Sequence, residues 1–148
     1  MNREITKTVV SYVTDAAERI NHYMAFKGML DFIRKKCLFL SQFMAVVDKA
    51  EFSIVTKPCT LFVVANDAFE MPHDMDPEDY LLGSMVAGVI VVDLVEPGKI
   101  WSLKTKLGKE ILLTKDQGQI TVNGKAKVVK IYENFRDGSL FVMDQNFL

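Results

Sequence analysis

Apolar residues recur at steps of three and four through Ile5, Val9, Tyr12, Val13, Ala16, Ile20 and Tyr23 or Met24, which places them along one stripe of an amphipathic helix. The same period returns after Gly28 in Met29, Leu30, Phe32 and Ile33, and again in Leu40, Phe43, Met44 and Val47, so the first third of the chain is read as largely helical. Past Lys57-Pro58 the pattern changes. Thr60-Leu61-Phe62-Val63-Val64 is a β-branched and aromatic run between Pro58 and Asn66-Asp67, the mark of a buried strand. In Asp76-Pro77-Glu78-Asp79-Tyr80 a capping residue precedes proline and acidic groups, which predicts a short helix starting there and stopping near Gly83. The run from Met85 to Val92 suits a further strand.

From Glu96 onward, turn signals at Pro97-Gly98, Gly108, Gln117-Gly118, Asn123-Gly124 and Asp137-Gly138 separate short apolar runs, as in a β-meander. Asn123-Gly124 is the strongest, because both residues tolerate the positive φ of a type I′ turn. Helices first and strands afterwards imply an α+β fold, with N-terminal helices followed by a mostly antiparallel β-sandwich or meander. No internal repeat or low-complexity linker interrupts it.

Composition changes this picture little. With 148 residues, 49% of them hydrophobic and 25% charged, the chain suits one globular domain that buries a core without staples. A net charge of -1 does not point to a nucleic-acid partner. Its distribution is uneven. No Lys or Arg stands between Pro58 and Gly98, where eight carboxylates lie; all 18 basic residues and the other 11 acidic ones lie outside that stretch. If the segments keep to separate faces, the protein has an acidic and a basic pole. The first twenty residues carry charges where a secretory leader needs an apolar stretch, so the chain as written reads as cytoplasmic, or as extracellular if a leader has been removed. Tyr80 to Val92, the longest uncharged segment, is shorter than the ~20 residues a membrane helix needs.

The search for chemistry returns structural readings. His22 and His73 fall on different elements, and no His/Cys spacing suits zinc. Cys37 and Cys59 are either a bonded pair or two small buried hydrophobes. The acidic stretch Asp67, Glu70, Asp74, Asp76, Glu78 and Asp79 is the one place for a cation, but an EF-hand starting at Asp74 needs glycine at 79 and glutamate at 85, where Asp79 and Met85 stand. Capping and a solvated loop account for it better. Lys99, Lys104, Lys106, Lys109, Lys115, Lys125, Lys127 and Lys130 make the C-terminal half basic. Lys125 and Lys127 share a strand face and, with Lys130, are candidates for meeting an acidic partner; the alternative is a solvated face whose lysines discourage edge pairing. No phosphate loop, nucleophile elbow or paired-carboxylate arrangement is present, and the chain is read as a non-enzyme without cofactor or metal.

Two stretches carry a resemblance. Pro58-Cys59-Thr60-Leu61-Phe62-Val63-Val64-Ala65-Asn66-Asp67-Ala68-Phe69 resembles the first signature of fasciclin domains, close to PFTVFAPTNDAF, and Asp137-Gly138-Ser139-Leu140-Phe141-Val142-Met143-Asp144 resembles the second, close to NGVIHVIDxVLL. Between them Ile120 to Val129 is similar to the family's VTVNGAxVV hairpin, and Leu40-Ser41-Gln42-Phe43 through Ala50 is similar to its FSTFLKALEKAGL helix. The resemblance covers roughly Met29 to Leu148, which leaves residues 1–28 as an N-terminal helical extension packed on a fasciclin-like domain over 29–148. In this reading Asn66 and Asp67 close a local turn or cap the next element, Phe69 reaches the core, and Gly124 and Gly138 serve turns.

Three departures stand out. Gly83-Ser84 and Ala87-Gly88 replace the family's Tyr-His and Pro-Gly, the segment from Phe69 to Gly83 is shortened, and Lys130-Ile131 stands where some animal members have the Asp-Ile linked to integrin binding. The resemblance implies an adhesion-type module that binds a protein or glycan, as a monomer or weak homodimer. The lost bulk suggests an alternative, a small-ligand carrier with an apolar pocket near residues 70–88 lined by Met71, Met75 and Met85.

Overall fold

The helical segments form where the three-and-four spacing of apolar residues was read. In the computed structural model, which describes residues 28–50, 59–72, 74–135 and 138–147, α1 covers 28–36 and α2 covers Ser41–Lys49, joined through a 3₁₀ turn at Leu38–Leu40. Met29, Ile33, Leu40, Phe43, Met44, Val46 and Val47 are buried, so one stripe runs through both helices. α3, Pro77–Leu82, begins as its sequence requires: Asp76 accepts the Glu78 backbone N–H at 3.0 Å, Pro77 occupies the first turn, and Gly83 ends the helix. The first amphipathic stripe and His22 lie outside the described residues.

Seven strands follow: β1 Cys59–Val64, β2 Met85–Ala87, β3 Ile100–Lys104, β4 Glu110–Asp116, β5 Gln119–Val122, β6 Ala126–Phe135 and β7 Gly138–Met143. Strands β3 to β7 form the expected antiparallel meander. Two of its turns hold positive φ at both central residues, Gln117 and Gly118 (49° and 81°) and Asn123 and Gly124 (56° and 63°).

The sheet is not, however, an antiparallel sandwich. Its order is β2-β1-β7-β6-β5-β4-β3, and the neighbours β1 and β7 run parallel over six residues, from Cys59 opposite Gly138 to Val64 opposite Met143. The meander itself is the crossover that parallel pairing demands. β6 is long enough to pair with β5 through Ala126 and Lys127 and with β7 from Val128 onward. The two ends of the sheet then meet, through a bridge between Val86 and Thr105 and a bond from the Lys106 N–H to the Met85 carbonyl at 2.8 Å. The result is a mixed sheet curled almost into a barrel, with the helices on one outer flank.

Alternation along β1 and β7 divides the core in two. Leu61, Val63, Leu140 and Val142 face the helices, packing with Met29, Ile33, Phe43, Val47, Leu81 and Met85. Phe62, Val64, Phe141 and Met143 face inward, with Trp101, Leu103, Ile111, Leu113, Ile120 and Val122. Each such apolar side chain contributes about 1.5–3 kcal/mol when fully buried, so strands buried on both faces anchor the whole fold. Gly138 starts β7 and is buried, while residues 136 and 137 lie outside the described residues.

The strand expected from Met85 to Val92 is only three residues long. Gly88 takes φ 93° and leaves the ladder, and the buried Thr60 hydroxyl takes over the backbone groups there. It donates to the Gly88 carbonyl at 2.9 Å and accepts the Ile90 N–H at 3.1 Å. With its one proton spent on Gly88, the 2.9 Å bond to Ser139 on β7 has Ser139 as donor.

Candidate functional site

The motif after β1 acts at longer range than its sequence suggests. Asn66–Ala68 is a 3₁₀ turn without a side-chain cap of its own. Asn66 instead reaches the start of α2, where Oδ1 accepts the Gln42 N–H at 2.9 Å and Nδ2 donates to the Leu38 carbonyl at 3.2 Å and to Ser41 Oγ at 2.9 Å. The N-cap position of α2 is Leu40, which has no capping group, so Asn66 supplies the cap from outside the helix. This corrects the expectation of a local turn or a cap on the following element. Asp67 is exposed, whereas Phe69 is half-buried, edge-on to Tyr80 at 5.6 Å and in contact with both halves of the core.

The candidate lysines lie at and beyond the β5–β6 turn. Lys125, Lys127 and Lys130 are exposed, and Ala126 and Val128 between them point into the barrel. A bulge between Val128 and Lys130 then shifts the alternation. Lys130 consequently pairs opposite Val142, whose side chain faces the helices, so Lys127 and Lys130 share the outer face despite their odd spacing. The Lys130 ammonium sits 5.3 Å from the centroid of the Tyr132 ring and 5.7 Å from that of Phe39, and Tyr132 is in turn edge-on to Phe32 at 5.1 Å. Hydrogen bonding to the Tyr132 phenol holds Lys130 above the ordinary lysine range. Around this row Leu38 is 74% exposed, Phe39 38% and Val129 58%, an apolar fringe that neighbours a cation.

Two basic residues touch the acidic stretch. Lys99 pairs with Glu96, three residues away, at 3.0 Å, and Lys115 reaches the Val92 carbonyl at 3.3 Å.

A cleft of about 400 Å³ opens between α2 and the residues Phe69, Met71, Met75 and Pro77. One wall is Gln42, Ala45, Val46 and Lys49, and the other is Phe69, Met71, Met75 and Pro77. Two of the three expected methionines therefore line a cleft, but Met85 is fully buried in the helix-side core. Gly83 and Ser84 do not line this cleft. Gly83 closes α3 through its N–H to the Asp79 carbonyl, and the Ser84 hydroxyl bonds the Tyr80 carbonyl at 3.0 Å.

Among the described residues no group of three or more His, Cys, Asp or Glu is placed to hold a metal, and His73 lies outside them. Asp76 caps α3, and Asp74 takes φ 63° in the exposed loop. Cys37 and Cys59 are free and buried. Burial pushes the Cys59 thiol up to about 12, with Lys106 acting weakly against it, so the thiol stays protonated and inert near neutral pH. No helix among the described residues is long and apolar enough to cross a membrane.

Phe39, Tyr132 and Lys49 were not singled out by sequence reasoning. Leu38-Phe39, two apolar residues side by side between two helical stripes, was the available signal for the first of them.

No protein-family model and no curated protein matches the chain. Among solved structures it is similar to a pair of FAS1 domains from the insect cell adhesion molecule fasciclin I, with a TM-score of 0.43 and 11% identity. The match covers 85% of this chain and 45% of that chain, so this chain spans less than half the length of the domain pair.

Proposed function

We propose that this chain is a divergent fasciclin-like domain that works as a non-enzymatic binding module for a protein or glycan partner. The observation that carries the reading is the outer face of β6. Lys130 stands there between two aromatic rings, with Lys127 on the same face and exposed Leu38, Phe39 and Val129 at its margin. Such a row offers both a cation and an apolar platform to an anionic partner, which isolated surface lysines do not. Lys125 extends it at the hairpin tip.

The test compares the full chain with a Lys127→Glu/Lys130→Glu variant on an anionic glycan array and against a set of acidic proteins. Retention that the variant loses supports the reading. Absence of retention by the unaltered chain, or equal retention by both, defeats it.

A second reading, a small-ligand carrier, is favoured by one specific feature. The cleft beside α2 has a volume within the range of ligand sites, roughly 300–1,000 Å³, and two methionines give it an adaptable wall. Native mass spectrometry of the purified protein tests it by looking for a retained mass.

A further inference from the structure

The carrier reading leaves the ligand's chemistry open, and the cleft itself narrows it. Gln42, Ala45, Val46 and Lys49 are spaced three, four and seven apart on α2, so they form one line along the helix, about 10 Å long at 1.5 Å per residue. The middle of that line is apolar, and Phe69, Met71, Met75 and Pro77 oppose it. Its two ends differ. At the first, the Gln42 side-chain amide is engaged with the Asn66 carbonyl at 3.3 Å. At the second stands Lys49, the only charged residue of the lining among the described residues. The loop that forms the opposite wall is rich in carboxylates, yet the ion pairs formed among the described residues leave Lys49 without one.

We propose that the cleft binds a linear amphiphile with an anionic head, its alkyl chain along Ala45, Val46, Phe69, Met71 and Met75 and its carboxylate or related anion on the Lys49 ammonium. This rests on the carrier reading. An apolar trough with, at one end of its α2 wall, a cation that forms no ion pair among the described residues matches a chain-and-head ligand, whereas a compact polar metabolite leaves the methionine wall unused. The shared chemistry is an anionic head on an alkyl chain, whether free or part of a lipid.

The test titrates the full chain calorimetrically with decanoate, decanol and decyltrimethylammonium. Decanoate is expected to bind about tenfold more tightly than decanol, the worth of one charge-assisted hydrogen bond at a partly exposed site. Lys49→Gln is expected to abolish that difference, while Lys104→Gln on β3 leaves it unchanged. Ala45→Trp, at an exposed helix position whose side chain fills the trough, is expected to abolish binding of both. Equal binding of decanoate and decanol overturns the anionic assignment and leaves the apolar cleft standing. Tightest binding of decyltrimethylammonium overturns it in favour of the acidic loop. Failure of all three to bind, or binding that Ala45→Trp does not touch, removes the carrier reading as well. Decanoate binding shared with anionic vesicles of the same head chemistry assigns the lipid source, and binding of the free acid alone assigns the soluble one.

Discussion

The Asn66 side chain accepts the backbone N–H of Gln42 at 2.9 Å across 24 positions of sequence, and so the turn that ends the first strand caps the second helix. Strand and helix are thereby held in one orientation on the wall of the cleft, because Gln42 is also a lining residue.

Replacing Asn66 tests this coupling. Asn66→Ala removes the cap and the two bonds that Nδ2 donates, and is expected to cost about 2 kcal/mol in urea denaturation, at the upper end of cap losses. Asn66→Asp keeps an acceptor for Gln42 while losing the donors to Leu38 and Ser41, and is expected to fall between the two. Equal stability of all three proteins contradicts the capping role.

Thr60 is the corresponding device inside the barrel wall. Thr60→Val strands the Ile90 N–H and the Gly88 carbonyl in a buried site, for an expected loss of about 3 kcal/mol. Thr60→Ser retains the hydroxyl and loses only a methyl group, about 1 kcal/mol. Hydrogen exchange at the Ile90 amide should quicken in the valine variant and stay slow in the serine variant.

Glycine replacements separate backbone strain from space. Gly124 has φ 63° with nothing within 4 Å of an added Cβ, so Gly124→Ala costs only the left-handed conformation, about 1 kcal/mol. Gly83 has φ -72° and an added Cβ meets its neighbours at 3.4–3.6 Å, ordinary contact, so Gly83→Ala is expected to change stability by under about 0.5 kcal/mol. Thermal denaturation of the two variants side by side decides it.

Alkaline pH probes the buried thiol and phenol. Burial raises Cys59 from about 9 to about 12 and Tyr80 from 10 to about 12, with the nearby Ser84 hydroxyl acting against the latter. Both groups are neutral when protonated, and in the folded state they resist ionising. Their contribution to stability is therefore whole below the unfolded values and is lost as pH rises from about 9 towards 12. Cys59→Ala should flatten the lower part of that decline. In the native protein a thiol reagent at pH 8 should find neither cysteine, and in denaturant it should find both.

Where a signal acts within a few residues, the sequence was legible. Asp76-Pro77 started α3, Gly83 ended it, and Asn123-Gly124 turned the chain between β5 and β6. The β-branched and aromatic run of β1 announced a buried strand. Of the candidate sites, the exposed lysines and two of the cleft methionines were visible as residue types, but not as neighbours of Phe39, Tyr132 or Lys49.

The chain's own pattern thus determined its α+β order, most of its elements and which residues are apolar enough to be interior, because propensity, capping and turn chemistry are local. Only the tertiary structure decided that β1 and β7 run parallel, that a bulge brings Lys127 and Lys130 to one face, and that Met85 lies in the core while Met71 and Met75 line a cleft. Those outcomes depend on contacts such as Asn66 with Gln42 and Thr60 with Ser139, 24 and 79 positions apart. A hydroxyl or amide that has local and distant partners within its chemistry is assigned to one of them by packing, and packing is a property of the whole fold.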